Sequence, residues 1–233
     1  MKDRCIVSAA IGAKYRTEFQ SMRWHVEKHC SNDHDIIHWD DYPPGCPTQQ
    51  QRQYAFKIYA IADAIQRGYR RVLWMDIVYM PQGSIDALWA VVARQGWYIP
   101  TQGDAVLGNW CSDACLEVFG LSRDEAMTVP LCYSGLVGLD LDHRTGQHIW
   151  ELWQLAYERG AFQGPHRNEP GEPIHAWGHK TAGHCSDDPR CMGHRQDESA
   201  LSAILYRLNL KPETAGVLGD CIKMHVRKPS ANF

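Results

Sequence analysis

The sequence has no apolar run of the roughly 18 residues that a membrane-crossing helix needs, so no membrane span is expected. It has no Asn-x-Ser/Thr sequon, and the apolar run within residues 1–12, MKDRCIVSAAIG, is too short for a secretory leader. Neither sign of charge dominates. With 24 basic and 27 acidic residues the formal net charge is −3, which argues against a dedicated nucleic-acid binder but leaves room for a local basic groove. A glycine-rich phosphate loop followed by a basic residue is missing near the N-terminus, which disfavours a nucleotidyltransferase. There is no internal repeat and no low-complexity tract.

What is present suits a globular chain. Its 233 residues fit one large domain, or one domain with an appended subdomain, and 44% hydrophobic content is enough to bury a core without disulfides or metals. Nine cysteines, an odd number, together with the missing sequon favour a reducing, cytoplasmic setting.

Apolar periodicity alternates between two types. Strand-like runs at 5–12, 34–40, 70–76, 96–103, 132–142 and 215–226 are separated by helix-like patterns at 15–30, 49–68, 83–95, 146–160 and 197–210. Residues 111–129 read as two short helices hinged at Gly120, the second capped by Ser122 with Glu125 three residues on. Residues 161–194 form a His/Gly/Pro-rich irregular segment, too long for a plain connection. This alternation predicts an α/β layered fold with a mixed, mostly parallel sheet flanked by helices and a His/Gly/Pro-rich loop insertion. In such sheets ligands bind at the carboxyl ends of the strands.

The stretch RRVLWMDIVYMP, residues 70–81, places a carboxylate, Asp76, at such an end. An acid there can hold a divalent ion that bridges a diphosphate. It can equally be a cap or an ion-pair partner.

Three ordered segments carry a resemblance. QRQYAFKIYAIADAIQRGYRRVLWMDIVYMP (51–81), GLSRDEAM (120–127) and GHRQDESALSAILYRLNL (193–210) resemble GT-A-fold, nucleotide-sugar-dependent glycosyltransferases, in particular a bacterial and viral group with a degenerate Asp-x-Asp motif. The resemblance implies a Rossmann-type GT-A-like domain over 1–233, with 1–100 as nucleotide-binding half and 101–233 as acceptor-binding half. It implies a cytoplasmic enzyme of a bacterium or a virus-infected cell.

By that resemblance Asp76 matches the first acid of Asp-x-Asp, while Val78 stands where the second acid belongs. A manganese or magnesium ion held by Asp76 and His225 is the implied cofactor. Asp197 matches the acid of the His-Arg-x-Asp run and is the implied base, with Glu198 beside it, since an acceptor hydroxyl needs a carboxylate to take its proton. Both acids would also simply favour a helix N-terminus. Ser8, Ala9, Tyr15, Lys57, Trp74 and Asp76 are implied donor contacts, Lys57 as a phosphate partner or, more plainly, a solvated charge. Gly103 and Trp110 fall in a loop that approaches the donor sugar, although Trp110 also suits a buried core. The donor is a nucleotide sugar, UDP-linked foremost. The acceptor is a saccharide or a hydroxymethylated DNA base, for which Arg167, Lys180, Arg190 and Arg195 could meet phosphate. A catalytically inactive sugar-nucleotide-binding module is a further reading, encouraged by the missing second acid.

His175, His179, His184, Cys185, Cys191 and His194 crowd into twenty residues, and this density suggests a structural zinc site. Against it, the Cys185–Cys191 spacing matches no standard zinc knuckle. Cys111 and Cys115 fall at helical spacing and read as core.

Overall fold

Period-two alternation in the first and third strands decides the layering. In the strand Arg4–Ala9 (β1), Cys5 and Val7 enter one core and Ile6 the other; in Arg71–Met75 (β3), Val72 and Trp74 enter the first, Leu73 and Met75 the second. A sheet buried on both faces must be covered on both faces. A computed structural model, which describes residues 3–12, 15–30, 33–169, 182–214 and 221–224, has this arrangement.

The chain runs β1, Arg16–His29 (α1), Asp35–Trp39 (β2), Ala55–Gln66 (α2), β3, Tyr79–Pro81 (β4), Asp86–Gln95 (α3), Trp97–Tyr98 (β5) and Thr101–Val106 (β6). It continues through Asp113–Phe119 (α4), Arg123–Ala126 (α5), Pro130–Cys132 (β7), Leu136–Asp140 (β8) and Arg144–Glu158 (α6). Arg167–Asn168 (β9), Ala182–Gly183 (β10), Asp197–Arg207 (α7) and Ile222–Met224 (β11) complete it.

The central sheet has the order β2-β1-β3-β8-β5. β1 pairs in parallel with β2 and β3, whereas β8 runs antiparallel to β3 and β5, so the sheet is mixed and mostly parallel. Helices α2, α6 and α7 bury Ile58, Ile61, Ile149, Trp153, Leu201 and Ile204 against one face. Phe19, Met22 and Val26 of α1, with Leu88 and Val92 of α3, fill the other. Among the described residues no helix is long and apolar enough to cross a membrane.

Four boundaries differ most from the sequence pattern: the run expected over 96–103 divides into β5 and β6 either side of Ile99-Pro100, and three others shift for local reasons. The helix expected over 49–68 starts at Ala55, because Gln49 Oε1 accepts the Tyr54 N–H at 2.7 Å and Tyr54 takes a left-handed φ of 56°. The strand expected over 132–142 is split into β7 and β8 by a Ser134-Gly135 turn. The last strand is Ile222–Met224, paired antiparallel with β4, a strand that the pattern did not separate; residues 215–220 and 225–226 of that expectation lie outside the described ones. The two short helices around Gly120 form as the pattern predicts. Ser112 caps the first, and Ser122 with Glu125 makes a reciprocal capping box on the second.

Candidate active site

Strand β3 ends at Met75, and the antiparallel β8 begins beside it at Leu136. The loop that enters β8 therefore meets the carboxyl end of β3, and the Asp76 N–H donates to Gly135 O at 2.8 Å. Asp76 is fixed from its own strand as well. The fully buried Trp74 donates its indole N–H to Asp76 Oδ1 at 2.6 Å.

Lys57 sits in the first turn of α2, where a cation faces the positive end of the helix dipole. It is also almost wholly buried, with 2% of its surface exposed. Both disadvantages require compensation. Asp197 supplies most of it, its Oδ2 lying 2.7 Å from Lys57 Nζ, with Asp76 Oδ1 at 3.7 Å. The ammonium also donates to Ser134 O at 3.1 Å and Ser134 Oγ at 3.2 Å. Burial works to lower the Lys57 pKa, but the two carboxylates outweigh it and hold it above the ordinary lysine value. Burial raises Asp76, with Lys57 opposing and Asp197 adding to the rise.

Asp197 and Glu198 open α7, where acids suit the dipole. The residue before them, Gln196, has a φ of 47° and is pinned by its side-chain amide, which donates to Gly164 O at 2.9 Å. The acids have different surroundings. Asp197 is buried on Lys57, whereas Glu198 is half-buried and lies beside rather than on the ammonium. Burial, and then Asp197, push the Glu198 carboxyl up to about 8, with Lys57, Arg195 and a backbone hydrogen bond from Ser134 pulling against them. At neutral pH Glu198 is mostly protonated, and it ionises near the pH at which a general base works well.

Asp76 and Lys57 open onto a cleft of about 160 Å³ that Ala9, Tyr15, Tyr54 and Val78 also line. Four of the expected donor contacts, Ala9, Tyr15, Lys57 and Asp76, thus share one cavity. Ser8 and Trp74 lie buried behind it. Gly103 is an exposed residue of β6 with a φ of 57°. Half-buried Trp110 carries the Arg195 guanidinium 3.8 Å from its ring centroid.

The donor set fits a divalent ion poorly. Asp76 offers one carboxylate, already engaged by Trp74 and close to the Lys57 ammonium, and Val78 brings no second acid. His225 lies outside the described residues.

Of the zinc expectation, His175 and His179 lie outside the described residues. Cys185 and Cys191 face each other with their sulfurs 3.7 Å apart. His184 is exposed, 3.6 Å from Asp187. His194 is drawn to Cys111 and Cys115, and the three ligand atoms lie within 4.8 Å of one another. Both His194 ring nitrogens are occupied: Nδ1 accepts the Ser112 N–H at 3.2 Å, and Nε2 meets Ala161 O at 2.9 Å as donor.

Ser134, Gly135 and Tyr54 are site residues that the sequence reading did not single out. The Ser-Gly pair inside an apolar run was the available signal. A Cβ at Gly135 would lie 2.8 Å from the Tyr79 ring and 2.9 Å from Asp76 Oδ2. Gly135→Ala is therefore expected to destabilise by about 1–3 kcal/mol through overpacking and to displace Asp76. Chemical denaturation beside a nucleotide-binding titration checks both effects.

No family model matches the chain, and no curated protein does. Among solved structures, a glycosyltransferase involved in the glycosylation of the major capsid of PBCV-1 superposes with a TM-score of 0.40 at 9% identity. The match covers 64% of this chain and 66% of that one, just under two thirds of its length.

Proposed function

We propose that the chain is a glycosyltransferase that moves a sugar from a nucleotide-sugar donor, UDP-linked foremost, to an acceptor hydroxyl. One observation carries this reading: buried Lys57 joins Asp197 to Asp76 at the carboxyl end of β3, where Lys57 and Asp76 line a cleft, and Glu198, next to Asp197, feels the charges of both Asp197 and Lys57. Acids that are remote in sequence and gathered at a strand terminus of a mostly parallel sheet are what acid–base chemistry on a bound ligand requires.

Glu198 is the base in this reading. Asp197 is committed to Lys57, so its lone pairs already serve the ammonium. Glu198, half-buried and titrating at about 8, takes the proton of the acceptor hydroxyl as that oxygen attacks the anomeric carbon and the bond to the diphosphate breaks. Asp76 offers a carboxylate oxygen to a donor hydroxyl, with Lys57 and Trp74 holding it in place. The leaving diphosphate needs a cation. Among the described residues Arg195 pairs with no carboxylate, and it is held against Trp110 and His166 Nδ1, the latter at 2.9 Å. A cleft of 160 Å³ admits part of a donor, so the remainder lies along its rim.

A saccharide hydroxyl is the favoured acceptor. Two of the arginines expected to meet DNA are ion-paired within the chain, Arg190 with Asp124 and Asp188, and Arg167 with Glu169. Lys180 lies outside the described residues.

Calorimetric titration with UDP-, GDP- and TDP-sugars, followed by assay of the released nucleoside diphosphate, tests the reading. One nucleotide class is expected to bind and turn over. Binding without release would make the chain a sugar-nucleotide-binding module, and neither binding nor release with any donor would overturn the proposal.

A further inference from the structure

Cys185 and Cys191 take no part in the chemistry above, yet the fold holds them face to face. Their sulfurs lie 3.7 Å apart, with Cys185 half-buried and Cys191 5% exposed. The backbone on either side is clamped. Asn168 Oδ1 accepts the Cys185 N–H at 2.9 Å, while its Nδ2 donates to Ser186 O at 2.8 Å and Cys191 O at 3.2 Å. Asp113 N donates to Cys185 O at 3.0 Å, and Met192 N to Asn109 O at 2.8 Å. Among the described residues no third His, Cys, Asp or Glu joins the two sulfurs in a metal-sized group. Two thiols positioned by a common side chain, one of them only half-buried, make a dithiol.

We propose that Cys185 and Cys191 form a reversible dithiol–disulfide site that a small-molecule disulfide, such as oxidised glutathione, closes. Cys185, the accessible sulfur, loses its proton and attacks one sulfur of oxidised glutathione. A mixed disulfide forms, and one glutathione thiolate leaves and takes up a proton. Cys191 then loses its proton and attacks the Cys185 sulfur, expelling the second glutathione. Two protein thiols are oxidised to one disulfide, and one oxidised glutathione is reduced to two thiols. The sulfurs must close from 3.7 Å to about 2.0 Å, a shift within the reach of side-chain rotation and small loop adjustment. The chain leaves Cys191 directly for Arg195 and the acid pair, anchored on the way by His194 N to Pro165 O at 3.0 Å and Arg195 N to Trp110 O at 3.1 Å. Closing the bond stiffens the segment that enters the candidate active site.

The full chain is incubated in glutathione buffers of increasing oxidised fraction, acid-quenched, alkylated, digested with trypsin and weighed. Cleavage after Lys180, Arg190 and Arg195 separates the two cysteines into TAGHCSDDPR and CMGHR, so the bond appears as a joined peptide pair. The joined pair is expected to accumulate with oxidation, to vanish with dithiothreitol, and to be lost in both Cys185→Ser and Cys191→Ser. Circular dichroism confirms that each variant is folded. Three results would overturn the proposal: both peptides singly alkylated in the most oxidising buffer; a glutathione adduct on Cys185 with no joined pair; or stoichiometric zinc in the purified protein shielding both thiols.

Discussion

Lys57→Ala is expected to cost about 3–5 kcal/mol of folding stability and to abolish turnover. The side chain is 2% exposed, and its ammonium lies 2.7 Å from an equally buried carboxylate. Removing it leaves Asp197 without its counter-charge and deprives Ser134 O of a donor. Lys57→Met keeps most of the stem's volume but not its charge, so it should be nearly as damaging. Adding Asp197→Leu to Lys57→Met should recover part of the loss, because a buried pair is harmed more by losing one partner than both. Urea denaturation of the two single variants and the double variant decides the matter. A Lys57→Ala protein within about 0.5 kcal/mol of wild type, the range of an ordinary surface substitution, would mean that the pair is not buried.

Glu198→Gln should lower kcat by about 10²- to 10⁴-fold while leaving donor affinity nearly unchanged, since the amide keeps the shape but cannot take a proton. The same substitution has a signature independent of turnover. Folding raises the Glu198 carboxyl from 4.5 to about 8, so between those values the folded chain holds a proton that the unfolded chain has released. Stability is then greatest below about pH 4.5 as far as this group is concerned, and it falls as pH climbs towards 8. Glu198→Gln removes that slope. Denaturation midpoints across the window should converge for the two proteins at its acid end and separate at its alkaline end, with the variant the more stable. Parallel curves would show that Glu198 ionises as an ordinary surface acid.

Most of the layering was legible in the residues. Alternation in CIVSA and RVLWM marks strands buried on both faces, and the 3.6-residue spacing of Phe19, Met22 and Val26 marks a helix on one of them. The direction of β8 was not legible, because an apolar run carries no sign of which way it pairs. That reversal delivers Ser134 and Gly135 to the carboxyl end of β3. Asp76, Lys57, Asp197 and Glu198 could each be marked as chemistry-bearing. That one lysine would bind two of these acids, making Asp197 an anchor and leaving Glu198 half-exposed, depends on contacts between distant segments. The late start of α2 was hidden for a similar reason, since a glutamine side chain five residues upstream captures the backbone that a longer helix would have used. In the cysteine-rich segment, composition suggested shared ligation, whereas the fold separates His194 from the exposed His184 and leaves Cys185 facing Cys191.

The dependence of kcat/KM on pH for nucleoside-diphosphate release by the unmodified chain tests the site assignment most directly, because it reports the ionisation of the free enzyme's base. Release that rises with pH and levels off above about 8 is expected from the Glu198 carboxyl. Release that is flat from pH 5 to 9, or absent with every donor, would contradict a base at Glu198.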